Sequence, residues 1–272
     1  MNSHRSHLIV ASLLLILVVA ACSFSSTSNP AASTVAPAVA TNPPASVATA
    51  TNPPANGGCT NPFFPTSSGS AWTYSSQGGA LGAYTFTRTV ADVSDSGFTL
   101  NDQTSLANGT STSVKWNCQN GNLAALDAGS GSLNVSSSKY KITSTSITAD
   151  GYNVPNTFAA GTTWSEKVTV MGTVQSGTHT LDSQIVSSLN CAVAGSESIK
   201  VPAGTFDTVK ASCTDTVGVS ELMQTTPIPA GAPITVDVTN WYAKGVGLVK
   251  SVRVNNTAGE TTTIELTQDT IK

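Results

Sequence analysis

From Tyr84 onward the chain alternates. Tyr84, Phe86, Arg88 and Val90 fall on one side of an extended backbone while Thr85, Thr87 and Thr89 fall on the other, the period-two pattern of a strand with one buried face. Similar segments run through Gly97 to Thr104, Ser113 to Gln119, Tyr140 to Ile147, Thr163 to Val174, Gln184 to Val193, Ile234 to Tyr242, Val246 to Val254 and Thr261 to Thr267. Gly, Asn and Ser clusters such as Asn108-Gly109 and Asp150-Gly151 punctuate them, and no stripe of helical spacing follows the first 21 residues. The expected class is all-β: antiparallel curved sheets, in a sandwich or an open barrel-like arrangement, with a wet Thr-rich face.

Two further patterns bear on domain organisation. Pro65, Gly69 and Trp72 are echoed by Pro155, Gly161 and Trp164, and Trp116 with Leu123 is echoed by Trp241 with Leu248. A body over residues 59–272 follows, with two related halves, 59–149 and 150–272, each folding a Trp into a shared core, as one organisation and a chance echo as the other.

Charged residues make up only 10% of the chain, well below the usual quarter, and removal of Arg5 with a leader would leave a mildly acidic remainder. Nucleic acid and anionic lipid faces need clustered Lys or Arg, so neither is expected as a partner. The body carries Cys59, Cys118, Cys191 and Cys213 and one histidine, His179, without a Cys-x-x-Cys pair. Closely spaced Cys and His ligands are what a zinc site needs; no metal and no cofactor is expected. An even set of cysteines in an oxidising compartment reads as disulfides, with three possible connectivities.

The sharpest turn is Val201-Pro202-Ala203-Gly204-Thr205, read as a three-residue hairpin with a bulge that pairs Val201 with Thr205. In that register Cys191 lies one diagonal step from Cys213, and a bulge at Gly195 would close the gap. Cys191 to Cys213 is the expected bridge, which leaves Cys59 to Cys118, a staple from the end of the preceding tether to a central strand.

The first residues supply the address. A head carrying Arg5, an apolar run from Leu8 to Val18 and small residues before Cys22 form the three parts of a secretory signal, and the run is shorter than the roughly 20 residues of a spanning helix. Val19-Ala20-Ala21-Cys22 resembles the bacterial lipobox, which implies acylation of the Cys22 thiol, a membrane partner through that lipid and residence on the outer face of the cell envelope, Ser23 carrying no inner-membrane retention mark. Between Ser23 and Gly58 there is no charge, and Thr41-Asn42-Pro43-Pro44-Ala45 recurs as Thr51-Asn52-Pro53-Pro54-Ala55. Residues 22–58 are thus expected to be a disordered Pro/Ala/Ser/Thr tether.

Glu197-Ser198-Ile199-Lys200-Val201-Pro202-Ala203-Gly204-Thr205-Phe206, then Trp241-Tyr242-Ala243-Lys244-Gly245-Val246-Gly247-Leu248-Val249, with the opening Asn61-Pro62-Phe63-Phe64-Pro65 and Trp72-Thr73-Tyr74, resemble uncharacterised bacterial envelope lipoproteins of the TapB-like group. Lipid anchor and meandering β body together are also distantly similar, as a fold, to the LolA and LolB lipoprotein carriers. Neither likeness brings an activity.

Catalytic signatures are missing. No Gly-x-Ser-x-Gly elbow, phosphate loop or His-Glu-x-x-His occurs, and His179 sits in a turn-like Ser176-Gly177-Thr178-His179. Asp92, Asp95, Asp207, Asp215, Glu260 and Glu265 could pair as in a glycosidase only across a cleft; Asp92-x-x-Asp95-x-Gly97 is too short for a dedicated calcium loop. Trp241 and Tyr242 must point to opposite faces, and the stiff Pro227 to Pro233 loop should protrude. The expected function is a noncatalytic binding or structural module facing an envelope protein or glycan. The alternative is a carrier of an apolar ligand, and the third reading is an envelope glycan hydrolase.

Overall fold

The computed structural model describes residues 59–106, 111–126, 140–176, 179–223 and 226–272. The signal, Cys22, the tether and Asn108-Gly109 lie outside the described residues. Thirteen strands follow in chain order: β1 Ala71–Gly78, β2 Tyr84–Ser94, β3 Gly97–Thr104, β4 Ser111–Gln119, β5 Asn122–Ala125, β6 Tyr140–Gly151, β7 Thr163–Ser176, β8 His179–Val201, β9 Gly204–Met223, β10 Thr226–Pro229, β11 Ile234–Ala243, β12 Gly247–Asn255 and β13 Glu260–Thr270. All belong to one antiparallel sheet in the order β5-β4-β3-β2-β1-β13-β12-β11-β9-β8-β7-β6, with β10 on β9. The body is all-β, its sheet curled nearly into a barrel.

The inner face is the one that the alternation predicts. On β2, Phe86 and Val90 are buried, and Arg88 between them forms a two-pronged ion pair with Asp102 of β3, at 2.8 and 2.6 Å. Burial works against the Arg88 charge, but Asp102 more than offsets it and holds the guanidinium protonated. Further around, Tyr74 donates to the Leu248 carbonyl at 2.9 Å, and burial pushes the Tyr242 phenol up to about 12.

One end of the barrel is plugged. Phe64 lies against Trp72, Phe98 and Trp116 with ring centroids 5.4 to 5.8 Å apart, and Phe158 packs on Trp164, Phe63 and Tyr242. Such pairs contribute about 0.5–1.5 kcal/mol each beyond area burial. Trp72 Nε1 donates to Val246 O at 2.6 Å and Trp164 Nε1 to Asn153 O at 2.9 Å.

The sheet ends meet here too. Leu123 of β5 bridges Val154 just beyond β6, and buried Glu166 of β7 reaches across, accepting from Ala125 N at 2.7 Å and Asn153 Nδ2 at 3.0 Å. Asn61 ties the seam from below, donating to the carbonyls of Gly121 and Pro155.

Two disulfides staple this architecture. Cys59 is bonded to Cys118 and Cys191 to Cys213. Cys118 lies on β4, beside the terminal strand β5, so that staple reaches the margin of the sheet and not a central strand. The β8–β9 turn also differs from the three-residue reading: Val201 pairs with Gly204 and Lys200 with Thr205, so only Pro202 and Ala203 turn. Gly204, at φ +146°, supplies a backbone that side-chain-bearing residues rarely adopt. A bulge between Val193 and Gly195 then shifts register once more. Two single-residue steps, one at the turn and one at the bulge, set Cys191 directly opposite Cys213.

Candidate functional site

Strands β7, β8, β9 and β11 present a groove of about 730 Å³ on the outer face of the sheet. Its floor follows from register. Thr163, Ala192, Ser212 and Thr239 form one row across the four strands, and Ser165, Asn190, Thr214 and Asp237 form the next. These are the positions that alternate with the buried Trp164, Cys191, Cys213 and Val238, so the Cys191–Cys213 bridge lies directly beneath them. Within a row, neighbouring positions on adjacent strands stand about 4.8 Å apart.

The outward side chains of the two rows are five hydroxyls, the Asn190 amide, the Asp237 carboxylate and Ala192, and none of the lining residues is cationic. Asp237 is oriented from two sides: Thr214 Oγ1 donates at 2.9 Å and Asn256 Nδ2 at 2.8 Å. Those bonds, from Asn256 first and then Thr214, hold its carboxyl below the usual carboxylate range.

Trp241 stands two residues beyond Thr239 on the same face of β11, about 7 Å further along. It is partly exposed, while Tyr242 beside it is buried. Its Nε1 donates to Glu197 Oε1 at 2.7 Å, and the ammonium groups of Lys210 and Lys250 lie 5.3 and 5.9 Å from a ring centroid. Both lysines are balanced, by Glu197 at 3.4 Å and Glu265 at 2.8 Å. The ring is therefore fixed in orientation.

A second surface lies at the far end of the barrel. Val219, Ile185, Val170 and Ile147 form one aliphatic row across β9, β8, β7 and β6 on the inner face. Ile147 and Val219 are 37% and 39% exposed, and Met223 beyond them 64%. The Pro227 to Pro233 segment forms β10 and the exposed link to β11. Ala230 N donates to Val219 O at 2.9 Å, so Ile228 also turns its N–H toward β9. Pro227 and Pro229 stand at the alternate positions that face the free edge. They offer no donor there, which blunts the edge against strand addition.

The other sequence candidates are dispersed. Asp92 and Asp95 are exposed at and just beyond the end of β2, Asp207 is exposed near the β8–β9 turn and Glu260 at the start of β13; Glu265 is paired with Lys250. Asp215 is buried on the inner face and accepts from Ser187 Oγ at 2.7 Å. Glu166, which the sequence reading passed over, shares its register row two strands away, with Leu189 between them. A charged residue on the otherwise apolar face Trp164, Val168, Val170 was the available signal. Both carboxylates are buried and committed to hydrogen bonds within the fold. The side chain of His179 and the thiol of Cys22 lie outside the described residues. Among the described residues no cluster of three or more His, Cys, Asp or Glu is arranged to hold a metal ion.

The DUF3108-like family model matches residues 98–265, from β3 into β13 and through every strand of the groove. The chain belongs to the DUF3108-like family. Its fold is similar to a candidate lipoprotein from Parabacteroides distasonis ATCC 8503, at 20% identity over 77% of this chain and 99% of that one, TM-score 0.49. It is also similar to a candidate exported protein with a YmcC-like fold from Bacteroides fragilis NCTC 9343, at 16% identity over 78% of this chain and 100% of that one, TM-score 0.47. No curated protein matches the DUF3108-like chain.

Proposed function

We propose that this member of the DUF3108-like family is exported, anchored to the outer face of the cell envelope through lipid on Cys22, and works there by binding, without catalysis. The observation that carries the reading is the outer groove, a polar floor with a disulfide beneath it and an oriented Trp241 beyond one end. Rigid strands with locked side chains are what a preformed recognition surface requires. Catalysis would need a base and a nucleophile, or two carboxylates, free to meet a substrate, and Glu166 and Asp215 are spent on the seam and on Ser187.

Mass spectrometry of the natively purified protein should find acyl chains on Cys22; a bare thiol at the mature terminus would remove the anchor. A photo-crosslinker placed at Ser212 should capture an envelope component in intact cells while one at Leu81 does not. Equal or absent capture at both positions would remove the groove as the binding surface.

The half-exposed aliphatic row supports a second reading, a carrier whose apolar ligand lies against Val219, Ile185 and Ile147. That reading expects copurifying lipid in the native mass spectrum and its loss in Val219→Asp.

A further inference from the structure

We infer that the groove binds an uncharged, hydroxyl-rich polymer, a neutral polysaccharide chain laid across β7, β8, β9 and β11 with one sugar face on Trp241. The inference rests on reading the groove as the binding surface and adds the chemistry of what lies in it.

Three ligand classes fail on chemistry. A polyanion, whether nucleic acid, teichoic-type phosphate or uronate, needs clustered cations. The groove offers none and presents the Asp237 carboxylate, while Lys210 and Lys250 at its end are already balanced by Glu197 and Glu265. An acyl chain needs a continuous apolar floor; here the outward side chains alternate hydroxyl, amide and carboxylate, with Ala192 the one aliphatic among them. An added peptide strand needs an unpaired sheet edge, and each groove strand is paired on both sides.

What remains is a ligand that carries both donors and acceptors and no net charge. Thr163, Ser165, Ser212 and Thr239 can each give and accept a hydrogen bond, Asn190 offers both functions in one group, and Asp237 and Thr214, whose proton is given to Asp237, accept. Within each row the positions repeat at the strand spacing of about 4.8 Å, so the donor and acceptor groups recur across the groove and suit a repeating ligand laid across the strands. Trp241 supplies an aromatic surface against which the C–H side of a sugar ring can pack on displacing the Lys210 or Lys250 ammonium that lies over the ring. Its indole is held by Glu197 before any ligand arrives, so the ordering of that side chain is not left for the binding step.

The test uses the purified mature protein and the Trp fluorescence and isothermal titration signals of four probes: maltoheptaose, cellohexaose, the hexamer of N-acetylglucosamine, and polygalacturonate as the anionic comparator. At least one neutral oligomer should bind, with an indole fluorescence change. Trp241→Ala should weaken that binding about tenfold, as the loss of one aromatic contact implies, and so should Asn190→Ala. Met223→Ser, at the far end, should leave it unchanged. Urea midpoints of the variants separate lost binding from lost folding. Because Trp241 and Asn190 are not buried, their midpoints should stay near the parent's.

Preferential binding of polygalacturonate would overturn the inference, as would neutral binding indifferent to Trp241→Ala and Asn190→Ala. A protein captured from the Ser212 crosslinker, with no oligosaccharide bound, would overturn the glycan and leave the binding-module reading intact. No capture and no oligosaccharide binding would remove both.

Discussion

The two ends of the barrel are built by different means. At the plugged end, Phe63, Phe64, Phe158, Trp72, Trp116 and Trp164 fill the interior. There the Trp72 and Trp164 indoles are caught by backbone carbonyls and the sheet margins are joined by Glu166 and Asn61. At the far end the strands β7, β8 and β9 run on as an aliphatic row, with Ile147, Val219 and Met223 substantially exposed. Aromatic rings bring large buried area with few rotatable bonds, so the first end should set global stability. Aliphatic contacts open to water on one side add little, so the second end should be nearly indifferent to substitution.

The most damaging test of that contrast is Trp72→Ala, which leaves a large cavity among Phe64, Pro65 and Val246 and should cost about 3–5 kcal/mol in urea unfolding. Replacing Cys59 and Cys118 together by Ser opens a loop with a sequence separation of 59; the chain-entropy model gives a loss of about 4 kcal/mol. Glu166→Ala strands the Ala125 N–H and the Asn153 amide. A loss of about 1–3 kcal/mol is expected, together with faster hydrogen exchange confined to β5 and residues 152–156. Met223→Ser should move stability by no more than about 0.5 kcal/mol. A cost for Met223→Ser that matched Trp72→Ala would erase the distinction between the ends.

The smallest effect is a titration. The hydrogen bond from Trp241 holds the Glu197 carboxyl below its ordinary range, against the effect of burial and with Lys210 adding to it. A carboxylate with a depressed folded-state value stabilises fully above the unfolded value and loses that contribution as pH falls through the folded one. Trp241 fluorescence should therefore be constant through neutrality and change only at acid pH, with a midpoint below that of an ordinary glutamate. A midpoint at or above the ordinary value would mean that the indole is not bonded to Glu197.

Much of this was legible before any coordinates. Strands such as β2, β7 and β11 declare themselves because polar and apolar residues alternate over most of their length, with Arg88 and Glu166 the charged residues on the inner faces of β2 and β7, and Trp241 with Tyr242 had to split between faces. Only the first half of β9 was legible, as the returning arm of the hairpin through Cys213; its inner face reads Ala211, Cys213, Asp215, Val217, where a buried carboxylate and two small side chains blur the period that longer apolar residues would have marked. The seam was hidden for another reason. Glu166, Asn153 and Asn61 are ordinary polar residues until the curl of the sheet brings β5 opposite β7, and no local pattern encodes that closure. The groove rows needed the register of four strands, which in turn depended on a two-residue turn at Pro202-Ala203 and a bulge before Gly195. Trp116 and Trp241, matched by spacing in the sequence, end on opposite faces.

The bond between Cys59 and Cys118 has a mechanical consequence. Traction arriving along the backbone from residue 58 meets a covalent ring that already encloses β1, β2 and β3, so those strands cannot be unzipped one after another from the amino end. The strain passes straight into β4 and the aromatic plug behind it. Under a pull on residue 58 the body would yield only when that whole corner gives way at once.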